Sequence, residues 1–179
     1  NNLEMNMPFT INNVIIIPIS KFHQLSVLYR KGHYDNQFIN ILIHEKIHVI
    51  QRDNQPVFDT FYKNYYNRFL GEKYQQPLPN ELAKIYMTNP DSNNSIWTFL
   101  FDNKEYIPLL VFKNNKIQTL GYDKTNLSNI IDLNYVKKEL GYGEDISFYH
   151  PNEIFACDLA HQIMDESVSK GYSNLLNNL

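Results

Sequence analysis

Residues 44–48 read His44-Glu45-Lys46-Ile47-His48, the spacing H-E-x-x-H. On an α-helix, residues four apart lie one turn apart on the same face. Two imidazoles placed so can reach a single tetrahedral Zn²⁺. The glutamate after the first histidine then points toward an attacking water and can take its proton as general base. Two histidines leave a catalytic zinc site one ligand short, because such sites use three protein ligands and keep one position open. The extended form H-E-x-x-H-x-x-G-x-x-H needs a glycine at position 51 and a histidine at position 54. Gln51 and Asn54 stand there, so the third ligand must come from elsewhere in the chain.

The motif needs a helix, and its flanks predict one. Asp35 is a candidate N-cap, and a helix from there runs to about Arg52, before Asp53-Asn54-Gln55-Pro56. On a wheel at about 100° per residue, His48, Gln51, Asn40 and Gln37 fall within about 40° of His44. Phe38, Ile39, Leu42, Ile43, Val49 and Ile50 fall on the other side. A helix with so broad an apolar back is buried, and histidines on its narrow polar stripe need partners. Lys46 lies among the apolar positions and is expected to snorkel out at an edge.

The last helix offers the missing acid. His150-Pro151-Asn152-Glu153 opens it, with proline near the first helical position, and the pattern runs to about Lys170, before Gly171. With Glu153 as reference, Ala156, Cys157, Ala160, Ile163, Met164 and Val168 lie within about 80° of it. Asp158, Gln162, Asp165 and Glu166 lie on the far side. Glu153 is thus central on an apolar face and aimed inward. A carboxylate there is costly unless it is paired, protonated or bound to metal, and a zinc held by two neutral histidines resolves that cost. His150, Cys157 and His161 fall on the same side and are also ligands by chemistry. Glu153 is preferred because it is central and His₂Glu is a known catalytic set. Cys157 reads as a small buried hydrophobe. His150 and His161 are candidates to orient a ligand or to stabilise a developing oxyanion.

An H-E-x-x-H helix followed much later by a helix that begins Asn152-Glu153 resembles the gluzincin clan of zincin metallopeptidases. The likeness is strongest to minimal single-domain members and to small H-E-x-x-H-x-x-Q proteins, and it covers two helices. It implies that His44, His48 and Glu153 bind zinc and that Glu45 activates water for peptide-bond hydrolysis. It also implies a peptide or protein substrate lying along an exposed sheet edge. Thermolysin-like members carry an aspartate four residues after the ligand glutamate, where it orients a histidine. This chain has Cys157 there, with Asp158 one step later and turned outward. The tyrosine or histidine that polarises the substrate in that clan has Tyr149, His150 and His161 as candidates. The alternative reading keeps the scaffold without the chemistry, as a binding or structural protein, or as a latent protease whose cleft is plugged by residues 171–179.

The remaining elements form an α+β order rather than a parallel βαβ series. Val14–Ile17, bounded by Asn12-Asn13 and Pro18, predicts a strand within Thr10–Ile19, and Gln24–Tyr29 predicts a second. Val57–Leu70 carries six aromatics at helical spacing, a face expected to pack into the core. Gly71–Pro79 reads as a loop, and Glu81–Met87 as a short helix. Residues 96–101, 106–112 and 116–122 read as a β-meander, and Leu127–Leu140 as a helix. Either the meander or the strand near 24–30 is expected to supply the substrate's edge.

A length of 179 residues fits a single domain spanning 1–179. A net charge of −3 without a basic patch argues against nucleic acid as a partner. No run approaches the roughly 18 apolar residues of a membrane span. One cysteine excludes an intramolecular disulfide framework without settling the compartment; with no leader peptide visible, the cytoplasm is slightly favoured and the compartment stays open.

Overall fold

The computed structural model describes residues 8–31, 35–92, 95–113, 116–144, 146–177 and 179. Among them are seven α-helices and two antiparallel sheets, an α+β architecture. None of these helices is long and apolar enough to cross a membrane.

The chain begins with a hairpin, β1 (Phe9–Ile11) and β2 (Val14–Ile16), in the register Phe9↔Ile16 and Ile11↔Val14. The predicted single strand across 10–19 is therefore two short strands. Asn12, at φ 52°, turns the chain between them, a conformation asparagine tolerates better than most side chains. The predicted strand at 24–29 is wrong: Ile19–Arg30 is helix α1. Its first turn forms where the Pro18 carbonyl accepts the amides of Lys21 and Phe22, at 3.0 and 3.1 Å. A six-residue stretch with only four apolar residues does not by itself tell strand from helix. His23 is exposed, and the turn expected at Gly32-His33 lies outside the described residues.

Helix α2 (Asn36–Asp53) carries the H-E-x-x-H run, and the Asp35 side chain caps it by accepting from the Phe38 amide at 3.1 Å. Lys46 is exposed, as its misfit in the wheel predicts. Asn54 breaks the helix, and Pro56 sits in the first turn of α3 (Gln55–Tyr65). Three aromatics of α3 go into the core: Phe58, Phe61 and Tyr62 pack against Phe155, and Tyr62 meets Trp97 edge-on, while Tyr65 is exposed.

The larger sheet is a meander in the order β3-β4-β5-β6-β7. Strand β3 (Leu70–Lys73) lies where a loop is predicted, and it pairs with β4 (Trp97–Phe101). Strands β5 (Lys104–Lys113) and β6 (Lys116–Asp123) form a long hairpin whose tip, Asn114-Asn115, is outside the described residues. A short helix α4 (Asn80–Ala83) precedes an isolated bridge from Tyr86 to Val111, so the chain near 86–87 covers the far half of β5. A 3₁₀ turn follows at Pro90–Ser92. The predicted helix at 127–140 divides into β7 (Ile130–Asp132) and α5 (Leu133–Glu139), because β7 finds a partner in β6.

Helix α6 (Pro151–Met164) ends six residues earlier than predicted, and α7 (Lys170–Leu176) follows. Glu166, at φ 54°, turns the chain between them, and Ser169 caps α7. Gly171 is therefore inside a helix rather than at a helix end. A Cβ there would stand 2.6 Å from the Tyr65 ring, so glycine serves a close approach. The turn brings Tyr172 back onto the core beside Phe155 and lets its hydroxyl donate to Asp158 at 2.7 Å. Asp158 is thus held by α7 rather than turned out to solvent.

Candidate metal centre

Helices α2 and α6 pack against each other, and this pairing brings the distant residues together. His44 Nε2 and His48 Nε2 are 2.8 Å apart. His44 Nε2 is 3.5 Å from one oxygen of Glu153, and His48 Nε2 is 3.4 Å from the other. The three side chains offer ligand atoms all within 4.8 Å of one another, a group that can hold a metal ion. Around a tetrahedral Zn²⁺ with bonds of about 2.0–2.1 Å, neighbouring ligand atoms stand about 3.3 Å apart. The nitrogen–oxygen separations lie close to that spacing, the two nitrogens stand closer, and the donor set fits such an ion in its chemistry.

The surroundings favour positive charge at this spot. Glu153 is 5% exposed; burial opposes its ionisation, but His48, His44 and His150 outweigh that and hold its carboxyl down to about 2. Burial also opposes charge on His44, yet hydrogen bonds to Cys157 and Glu153 raise it well above its usual value. His48, more deeply buried, is lowered by desolvation despite the nearby Glu153. Glu45 lies alongside, pushed up to about 8 first by burial and then by the charge of Asp91. Its Oε2 is buried without a hydrogen-bond partner. A buried carboxyl oxygen without a partner beside a ligand cluster is a polar group left free to meet a molecule bound in the cleft.

Further residues fix the constellation. Asn89 donates from Nδ2 to Glu153 at 3.0 Å and to the Tyr149 hydroxyl, while its Oδ1 accepts from the Asp91 amide at 2.9 Å. Asp91 is itself buried and ion-paired to Arg52 at 2.8 Å, with Thr10 as a further partner. The N-terminal hairpin and the 3₁₀ turn are thereby tied to the end of α2. Gln51 Oε1 accepts from His48 Nδ1 at 2.7 Å, and Gln51 Nε2 donates to the Tyr62 hydroxyl and the Asn152 carbonyl.

These groups open into a cleft of about 740 Å³. His44, Glu45, Glu153, Asn89 and Tyr149 line it, with Phe9, Ile41, Met87, Leu110 and Ile117 as apolar walls. The sheet edge expected near 24–30 does not exist, because that segment is α1. The meander does reach the cleft, through Leu110 of β5 and Ile117 of β6. None of the described residues in 171–179 lines it, so α7 does not form the plug that the alternative reading calls for.

The three candidates for substrate polarisation part ways. Tyr149 lines the cleft next to Glu153's partner Asn89. His161 lines it two turns deeper along α6. His150 does not line it: its Nδ1 caps α6 by accepting from the Asn152 amide at 3.1 Å, and its Nε2 meets Ser95 at 3.1 Å. Burial lowers His150 to about 3, so it stays neutral as a cap. Sequence reasoning placed Gln51 on the polar stripe without giving it a task. Asn89 carried no signal, because its role depends on a turn meeting α6 from 64 positions away in the chain.

Comparison with models of known families, with curated proteins and with solved structures gives no match.

Proposed function

We propose that the chain is a zinc-dependent peptidase, with His44, His48 and Glu153 holding the metal and Glu45 as general base. The observation that carries this reading is the convergence of the three ligand atoms beside a buried Glu45 oxygen that lacks a partner. A divalent ion held by these three residues would supply Lewis acidity to the scissile carbonyl and to an attacking water. Glu45 takes the proton from that water and returns it to the departing amine. Tyr149, its hydroxyl set by Asn89, donates a hydrogen bond to the carbonyl oxygen as negative charge develops. Met87, Thr88 and Asn89 line the cleft, and Tyr86 and Met87 pair with β5 beside it, the Met87 amide with the Leu110 carbonyl at 2.8 Å. An extended peptide laid against them gains main-chain hydrogen bonds.

Cleavage of a broad peptide library by zinc-loaded protein tests this reading. Glu45→Gln is expected to keep zinc and lose activity by about 10²–10⁴-fold. Cleavage that persists in Glu45→Gln contradicts Glu45 as the base, and none by the zinc-loaded wild type contradicts the hydrolase and leaves a binding or structural protein on the same scaffold.

A further inference from the structure

Gln51 is fully buried, as are His48 and Tyr62 beside it. Its amide meets three groups at once: His48 Nδ1 at 2.7 Å, the Tyr62 hydroxyl at 2.8 Å and the Asn152 carbonyl at 3.0 Å. A carbonyl oxygen accepts and never donates. The Gln51 nitrogen must therefore face Asn152, and its second hydrogen goes to Tyr62. Turning the amide over would set one oxygen against another at that distance, in a place closed to solvent. With the nitrogen fixed, Gln51 Oε1 faces His48, and an amide oxygen likewise only accepts. His48 Nδ1 must then carry the proton, which leaves the lone pair on Nε2, the atom that faces His44 and Glu153.

We propose that Gln51 is a positioning residue that sets the tautomer of His48 and locks α2 to the first turn of α6. It acts on both ligand-bearing helices. One end of its amide orients the His48 ring, and the other grips the backbone of Asn152, the residue before Glu153. Tyr62 brings α3 into the same node, so the order taken up by one glutamine is fixed from three helices. The role needs an acceptor one turn beyond the second histidine, which is where the sequence sets Gln51. This inference rests on the metal-site reading above.

The test pairs a spectroscopic readout with a binding one. In metal-free wild-type protein, long-range ¹⁵N–¹H correlation of the imidazoles is expected to show His48 as the Nδ1–H form. Gln51→Met, of similar length but without an acceptor, is expected to lose that preference and to bind zinc about 10–100-fold more weakly in competition with a chromogenic chelator. Gln51→Glu keeps an acceptor toward His48 but loses the amide donor to the Asn152 carbonyl, so it is expected to keep the Nδ1–H form while binding zinc more weakly than the wild type. Circular dichroism checks that the variants fold, and the wild-type tautomer decides the matter should Gln51→Met unfold. An Nε2–H form in the wild type, or zinc affinity unchanged in a folded Gln51→Met, overturns the inference alone. Failure of the wild type to bind zinc overturns the metal site and this inference with it.

Discussion

Glu45 is a buried carboxyl beside the ligand cluster. Burial raises its carboxyl from an ordinary value of 4.5 to about 8 in the metal-free protein. Between those limits the folded chain holds a proton that the unfolded chain has released. The group's contribution to stability is therefore present below about pH 4.5 and lost as the pH rises through 8. Each pH unit of that window is worth about 1.4 kcal/mol, so the loss amounts to a few kcal/mol. Glu153 acts in the opposite sense, because its carboxyl is held down to about 2. Its contribution is present above about pH 4.5 and lost as the pH falls toward 2. Urea titrations of chelator-treated protein at pH 5.5 and 8.5 should show the wild type weakening over this range by more than Glu45→Gln does. Parallel behaviour of the two would mean that Glu45 is not held as a buried acid. At this scale the sequence was informative where chemistry follows from spacing. His44, Glu45 and His48 lie within five residues, and the inward aim of Glu153 followed from a helical wheel. Asn89 and the capping role of His150 depend on neighbours supplied by other parts of the chain, and no local pattern carries them.

Elements were legible where one periodicity ran long enough to decide. Helix α2, with its Asp35 cap, and the meander from β4 to β6 lie close to where they were expected. Errors came where tertiary pairing overrode local signals. Leu70–Lys73 lacks the alternation of a half-buried strand and becomes one only because β4 lies beside it. Gly171 carries the usual sign of a helix end, yet it marks the contact with Tyr65 inside α7. The docking of α7 yields its own expectation. The Tyr172 hydroxyl joins Tyr66 at 2.8 Å and Asp158 at 2.7 Å in a buried setting. Tyr172→Phe leaves both partners short of a hydrogen bond and should cost about 1–3 kcal/mol. Denaturant unfolding measures the cost, and zinc content is expected to stay unchanged because α7 contributes nothing to the cleft.

The molecule as a whole is held at the site by contacts between distant parts of the chain. The hairpin β1–β2 reaches Arg52 through Thr10, the 3₁₀ turn reaches Glu153 through Asn89, and α2 reaches α6 through Gln51. Metal bound across α2 and α6 favours the folded state over the unfolded one. Zinc in 100-fold excess over its dissociation constant adds about 2.7 kcal/mol, which for a chain of this size raises the melting temperature by roughly 5–10 °C. Scanning calorimetry with and without a chelator should show that shift in the wild type and not in Glu153→Ala. The most direct test of the account is the zinc content of purified, zinc-exchanged protein. One equivalent per chain in the wild type and in Glu45→Gln, lost in His44→Ala and in Glu153→Ala, is the predicted result. Zinc retained at full stoichiometry without Glu153, or never taken up by the wild type, would contradict it.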